Sequence, residues 1–234
     1  MEINQVKIQD IISHSEDIKT YILEKPAMMD WIEGAHTHLA LMDFDVNDSK
    51  RKEFVRHMSI TTLADEHVIG ITTKKYKNTS LYKEKLWNYK VNDVVKLFNT
   101  HSRLSLKREN QPIVLLSMGV ALASVYPLIK AYSNDPFNIK SMSLYHVSKE
   151  GFLYSDLHNY HYSTCNLHHL TNRSSYYKQL ENESFDHNTT FYIVGSDDFI
   201  MDTILILKKK KIKKQQVILD KNELLSYHYC SSLD

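Results

Sequence analysis

A chain of 234 residues has room for one large domain or two small ones, and 42% hydrophobic with 24% charged residues is an ordinary globular composition. The formal net charge of +1 gives no overall field favouring nucleic acid, and apolar runs such as Ile113 to Leu116 are far too short to span a membrane. The start, Met1-Glu2-Ile3-Asn4-Gln5, lacks the basic and apolar segments of a secretory leader, and Cys165 and Cys230 form no disulfide framework, so a cytoplasmic protein with free thiols is expected.

The first half reads as strands. Short β-branched or alternating segments occupy 6–13, 18–24, 36–43, 55–62 and 67–76, with polar turn clusters at Asn47-Asp48-Ser49-Lys50 and Ala64-Asp65-Glu66. A short helix is expected at 80–86 and a further strand at 91–100. Together these suggest a small antiparallel β-barrel. The polar stretch Lys107-Arg108-Glu109-Asn110-Gln111 then marks a boundary, giving expected domains 1–108 and 109–234.

The second half has a different rhythm. Strands at 113–116, 139–146 and 191–194 alternate with helices at 122–132, 152–160 and 199–211, the pattern of an α/β domain with a parallel sheet. Two strand-turn-helix units stand out. One passes through Ser117-Met118-Gly119-Val120-Ala121, the other through Gly195-Ser196-Asp197-Asp198. A buried strand turning tightly into a helix points backbone N–H groups at whatever lies above the sheet edge, which suits a phosphate. The first of these turns is poor in glycine.

Several short signatures occur in fixed order. They are Gly34-Ala35-His36-Thr37-His38-Leu39, Arg56-His57-Met58-Ser59-Ile60, the segment 112–124, Tyr145-His146-Val147-Ser148-Lys149 with Phe152-Leu153-Tyr154, and the segment 192–202. Together they resemble the ferredoxin–NADP reductase family over nearly the whole chain. The resemblance implies an FAD-binding barrel of the ferredoxin reductase type joined to an NAD(P)-binding lobe, with hydride passing from NADPH or NADH to the flavin. It places Arg56 on the FAD diphosphate, where a guanidinium holds phosphate oxygens in a planar contact. Ser59 would reach the flavin ring, and Met58 would take the place of an aromatic residue over it. Thr72 and Thr73 would lie along the flavin chain. Asn78, Thr79 and Ser80 would open the short helix at a second diphosphate contact. Gly119, Val120 and Gly195 would line the nicotinamide nucleotide, with Lys149, Arg173 and Tyr177 supplying phosphate or adenine contacts that favour a 2′-phosphate. Tyr227 or Tyr229 would supply a C-terminal aromatic cover.

The chain departs from the family pattern in one direction. Ser117, Met118 and Ala121 replace glycines, Val120 a threonine, Ser124 a proline and Val194 a cysteine, while Asp197 and Asp198 add negative charge. Two readings stay open. One is an FAD-dependent NAD(P)H oxidoreductase serving a small or protein acceptor. The other is a non-catalytic or sensing flavoprotein, or an interaction module, that has lost nicotinamide binding.

Three further features bear on chemistry. His158, His161, Cys165, His168 and His169 carry metal-ligand chemistry, but no second cysteine pair joins them and strand alternation turns neighbours apart, so no metal is expected. The lysine run 208–214 suits a solvated helix end, or a docking patch for a small acidic electron carrier such as a flavodoxin or ferredoxin. No nucleophile elbow or Walker loop occurs, so hydrolase and kinase chemistry have no support.

Overall fold

A computed structural model describes residues 2–45, 53–160 and 165–233. The chain forms two compact units, Met1–Ser102 and Arg103–Asp234. The turn expected at Asn47 to Lys50 lies outside the described residues.

The first unit is an antiparallel sheet of six strands: β1 (Asn4–Ser13), β2 (Ile18–Glu24), β3 (Ala35–Ala40), β4 (Val55–Ser59), β5 (Val68–Lys74) and β6 (Val94–Ser102). Their order is β4-β3-β6-β1-β2-β5, and a bridge between Ile60 and Ile71 joins the two edge strands into a barrel-like closure. Alternation explains the strands. In β1, Val6 and Ile8 are buried while Gln5 and Lys7 are exposed. Helix α1 (Leu81–Trp87) sends Tyr82 and Leu86 into the same core as Ile8, Tyr21, Leu23, Leu39 and Leu97. Two buried hydroxyls tie it down, Tyr82 donating to the Leu39 carbonyl and Tyr21 to that of Leu86. The strand expected at 36–43 stops at Ala40 because the chain turns at Met42 and Asp43. The strand expected from 91 begins at Val94, after a turn with Asn92 at φ +74°.

The second unit alternates strand and helix: β7 (Gln111–Met118), α2 (Leu122–Asn134), β8 (Ile139–Val147), β9 (Cys165–Leu170), α3 (Arg173–Asn182), β10 (Thr190–Val194), α4 (Asp197–Lys209), β11 (Val217–Leu219) and α5 (Glu223–Cys230). The strands are parallel, in the order β11-β10-β7-β8-β9. Both faces are covered, which is why β7 and β10 are continuous apolar runs. Ile113 and Leu115 of β7 pack with Leu122, Val125 and Leu128 of α2, whereas Val114 and Leu116 pack with Tyr176 of α3 and Phe199, Ile200 and Ile204 of α4.

One expected helix is absent. Over 152–160 only a 3-10 stretch, Ser155–Tyr160, forms. Its apolar residues serve as separate anchors instead. Tyr154 stacks on Tyr126 of α2 with centroids 4.1 Å apart, Leu157 is wholly buried, and Asp156 accepts a hydrogen bond from the Tyr126 hydroxyl.

Candidate functional site

The second unit's strand order fixes where a ligand would bind. The chain leaves β7 for β8 and β9, then returns on the other side of β7 to form β10 and β11. The carboxyl ends of β7 and β10 therefore flank a topological switch point, the usual crevice for ligands in open α/β sheets. Both strand-helix turns open there.

The two glycines stand at these turns for different reasons. Gly119 has φ +59°, and no atom lies within 4 Å of where a side chain would begin, so the turn faces open space. A methyl group on Gly195 would approach the Phe199 ring to 2.4 Å, so the packing of α4 is sufficient cause for that glycine. Val120 is half-buried beside Gly119. Ser117 is wholly buried, and its hydroxyl lies 2.8 Å from Nδ1 of His146 on β8. Burial, reinforced by the nearby His169, pushes the His146 imidazole down to about 3. The pair is thus a neutral tie between two strand ends.

Arg173, the first residue of α3, reaches across to both turns. Its Nε lies 3.3 Å from the Met118 sulfur, and an Nη donates to the Ser196 hydroxyl at 3.2 Å. Ser196 is also the N-cap of α4, accepting from the Phe199 amide. Arg173, Met118, Gly119 and Ser196 are therefore gathered at the switch point, with a guanidinium spanning it. Lys149 is exposed in the loop after β8. Tyr177 is tied to Asp202 of α4 at 2.8 Å, and burial with that carboxylate pushes its phenol up to about 12.

The acidic pair at the start of α4 is partly compensated. Lys221 meets Asp197 at 2.8 Å and the Tyr229 hydroxyl bonds it as well, and these contacts hold the carboxyl below its ordinary range. Tyr229 is thereby fixed at the head of α4, while the exposed Tyr227 carries the Lys214 ammonium 3.8 Å above its ring. Neither C-terminal tyrosine belongs to a frayed tail, since Cys230 and Leu233 are buried in the core.

In the first unit, Arg56 lies on β4 with its guanidinium 5.2 Å from the Tyr82 ring, and one Nη donates to the carbonyls of Glu53 and Val55. Lys83 follows on α1, and burial and the Arg56 charge push its ammonium down to about 8. Met58 is only 8% exposed and belongs to the core that holds Leu39, Ile60 and Tyr82. The contact expected between its thioether and a flavin ring has no open face to form on. Ser59 is half-buried at the end of β4. Thr72 is buried with its hydroxyl 2.6 Å from that of Thr20, and Thr73 is buried beside it. Asn78 and Thr79 lead to Ser80, the N-cap of α1, whose hydroxyl makes no capping bond.

His57 faces away from Met58 and joins a second group the sequence did not announce. Its ring lies 3.9 Å from that of His38 and 5.7 Å from that of His36, which in turn meets His101 at 4.1 Å. Among the described residues no three His, Cys, Asp or Glu side chains converge on a metal position. Of the histidines noted near Cys165, His168 stacks on Tyr145 at 4.3 Å and His169 meets the Ser148 carbonyl at 2.8 Å. Cys165 is buried, which pushes its thiol up to about 12, and His161 lies outside the described residues. None of the helices among the described residues is long and apolar enough to cross a membrane.

Neither a family model nor a curated protein matches the sequence. Solved structures do. A ferredoxin NADP+ reductase from Neisseria gonorrhoeae with bound FAD and NADP aligns at TM-score 0.77 and 12% identity, over 94% of this chain and 98% of that one. The cytochrome b5 reductase domain of Ulva prolifera nitrate reductase aligns at TM-score 0.76 and 15% identity, over 93% and 97%. A flavohemoglobin from Malassezia yamatoensis with bound FAD and heme aligns at TM-score 0.77 and 11% identity, and there the chain spans 60% of the longer protein. At these identities the likeness establishes the fold: an antiparallel barrel-like unit followed by a parallel α/β unit.

Proposed function

We propose that the chain is a flavoprotein oxidoreductase that takes hydride from NADPH or NADH into FAD and passes electrons to a small or protein acceptor. The observation that carries this reading is Arg173. Its guanidinium spans two strand-helix turns at the switch point, beside an open Gly119. A cation and an unobstructed backbone there suit a dinucleotide phosphate. A guanidinium also favours a 2′-phosphate over its absence, so NADPH is the preferred donor.

The residues also suit FAD at its phosphates. Arg56 is held in place by two carbonyls and a buried ring, and Asn78, Thr79 and Ser80 lead into α1 nearby in sequence. They do not suit a flavin ring on Met58, so other residues must cover it. When bound, FAD accepts a hydride and returns electrons one or two at a time. The chain's own part is binding and orientation: Arg173 and Arg56 position phosphates, and the neutral Ser117–His146 pair holds the ends of β7 and β8 in register. An acidic electron carrier fits the exposed Lys208, Lys211 and Lys213, and a cytoplasmic site of action fits two buried cysteines outside any disulfide.

A second reading is a sensing flavoprotein without nicotinamide binding. It is favoured by Asp198 and by Ser117 and Met118 in a turn that elsewhere is glycine-rich. Anaerobic titration separates the two. The FAD-loaded protein should bleach with NADPH, and Arg173→Met should raise the NADPH concentration needed by about tenfold. A flavoprotein that neither NADPH nor NADH bleaches is the sensor. A colourless protein that no added FAD reconstitutes overturns the oxidoreductase.

A further inference from the structure

We propose that the outer ridge of α4 is a self-complementary docking surface, through which two copies of this chain pair as a weak antiparallel dimer. The proposal depends on no cofactor and not on the redox reading.

The ridge follows from the helix itself. On one side α4 buries Phe199, Ile200, Thr203 and Leu207 in the core beneath it. At about 100° per residue, Asp198, Met201, Leu205 and Lys208 fall within an arc of about 80° on the opposite side. All four are exposed, Met201 to 52% and Leu205 to 53%. An acidic start and a basic end suit the dipole of any helix. The dipole does not call for two large apolar side chains between them, one turn apart and more than half in water.

Asp198 and Lys208 are also left open by the rest of the molecule. Their neighbours in sequence are engaged, for Asp197 meets Lys221 at 2.8 Å and Lys209 meets Glu181 at 3.5 Å. Among the described residues, no side-chain hydrogen bond or ion pair engages Asp198 or Lys208.

Spacing makes the ridge its own complement. Met201 and Leu205 lie two residues either side of Thr203, and Asp198 and Lys208 lie five residues either side. A second α4 laid antiparallel on the first, about a twofold axis at Thr203, brings each Met201 against Leu205 of the other copy. The same placement brings each Asp198 against Lys208 of the other copy. The contact is therefore isologous and closes as a dimer. A parallel pairing sets Asp198 on Asp198 and Lys208 on Lys208, and like charges repel it. An unlike partner need not carry the mirrored order of charges, whereas a second copy carries it by construction. The ridge is only about 15 Å long. It forms a small interface, so the dimer Kd should be on the order of 10–100 µM. In dilute melting experiments the chain is then monomeric. An acidic carrier docked on Lys208 would compete with the second copy.

Sedimentation velocity of the full chain at neutral pH and low salt, from about 1 to 500 µM, tests the pairing. Wild type should pass from monomer to dimer across that range, and added salt should weaken the dimer. Leu205→Gln should raise the dimer Kd about tenfold or more, since the apolar contact is lost twice. Asp198→Lys alone and Lys208→Asp alone should each do the same, because two attractive pairs become two repulsive ones. An equimolar mixture of these two variants should dimerise to within about threefold of wild type. One variant carries a wholly basic ridge end to end and the other a wholly acidic one, so every charged contact of the mixed dimer joins opposite signs. Misfolding cannot produce that rescue. A chain that stays monomeric to about 500 µM overturns the proposal and leaves the ridge to an unlike partner. A dimer indifferent to Leu205→Gln and to both charge reversals is built on another surface and overturns it too. Loss in the single variants without rescue in the mixture removes the antiparallel register, and the proposal with it.

Discussion

His146 shows how a single side chain in this molecule can be structural while looking catalytic. A serine hydroxyl 2.8 Å from an imidazole resembles a nucleophile and its base, yet Ser117 is 0% and His146 1% exposed, so no substrate reaches either. Burial keeps the imidazole neutral, and this has a consequence for stability. The folded group titrates at about 3 and an unfolded histidine near 6.5. Above the unfolded value both states are neutral and His146 costs nothing. As pH falls below it, the unfolded chain takes up a proton that the folded chain refuses, and stability drops by up to about 1.4 kcal/mol per pH unit until the folded value is reached. Urea unfolding of wild type and His146→Asn between pH 7.5 and 4.5 measures this. Asparagine can still bond Ser117 but cannot titrate, so the variant should lose about 2 to 3 kcal/mol less than wild type over that range. Equal losses would mean that the imidazole is protonated in the folded state.

Legibility at the level of elements followed burial. Strand β10 is buried at all five positions, and α4 repeats Phe199, Ile200, Thr203, Ile204 and Leu207 on one side, so both were plain in the sequence. Helix α3 buries only Tyr176 and Leu180 and is set instead by its Asn172 cap, which accepts from the Ser175 amide at 2.9 Å, and by its packing on α4. Such a helix has almost no hydrophobic pattern to read. The segment 152–160 failed in the opposite way: its apolar residues anchor one by one, Tyr154 on Tyr126 of α2 and Phe152 against His146 and His169, and no hydrophobic face forms. Of the residues gathered at the switch point, Arg173 was legible only through the family resemblance, which carries it with Lys149 and Tyr177 as a phosphate or adenine contact. The four-histidine group was not, since it exists only through strand register, His38 opposite His57 and His36 opposite His101. The lysine run suits a solvated helix end or a docking patch, but Lys210 within it is tied down. Lys210 donates to the carbonyls of Glu181 and Glu183 at 2.7 and 2.6 Å, satisfying groups left open at the C-terminal end of α3. Lys211 then takes φ +61°, and the Ile212 amide bonds the Leu207 carbonyl to close α4. Lys210→Met should therefore lower the melting temperature by about 2–4 °C, the effect of roughly 1 kcal/mol in a chain of this size. Lys208→Met, on an exposed residue, is the control. If the two variants melt together, the carbonyl contacts contribute nothing to stability.

Each unit of the molecule carries a complete set of apolar contacts. The second has two cores, one on each face of its sheet, and every residue in them lies between Leu104 and Leu233. The segment leading into its first strand is tied from within, since the Tyr192 hydroxyl accepts from the Lys107 amide and donates to the Ser105 carbonyl, both at 2.8 Å. A chain of residues 103–234 should consequently fold by itself and unfold in one cooperative transition. If Arg173 marks a nucleotide site, this fragment should bind 2′-phospho-AMP, and Arg173→Met should weaken that binding by about tenfold. If Arg56 marks the FAD site, the fragment should take up no FAD, because Arg56 lies in the other unit. Calorimetry on the fragment decides the matter. A folded fragment that binds 2′-phospho-AMP equally with and without Arg173 would move the nucleotide away from the switch point. One that binds FAD as tightly as the full chain would take the flavin off the barrel-like unit altogether.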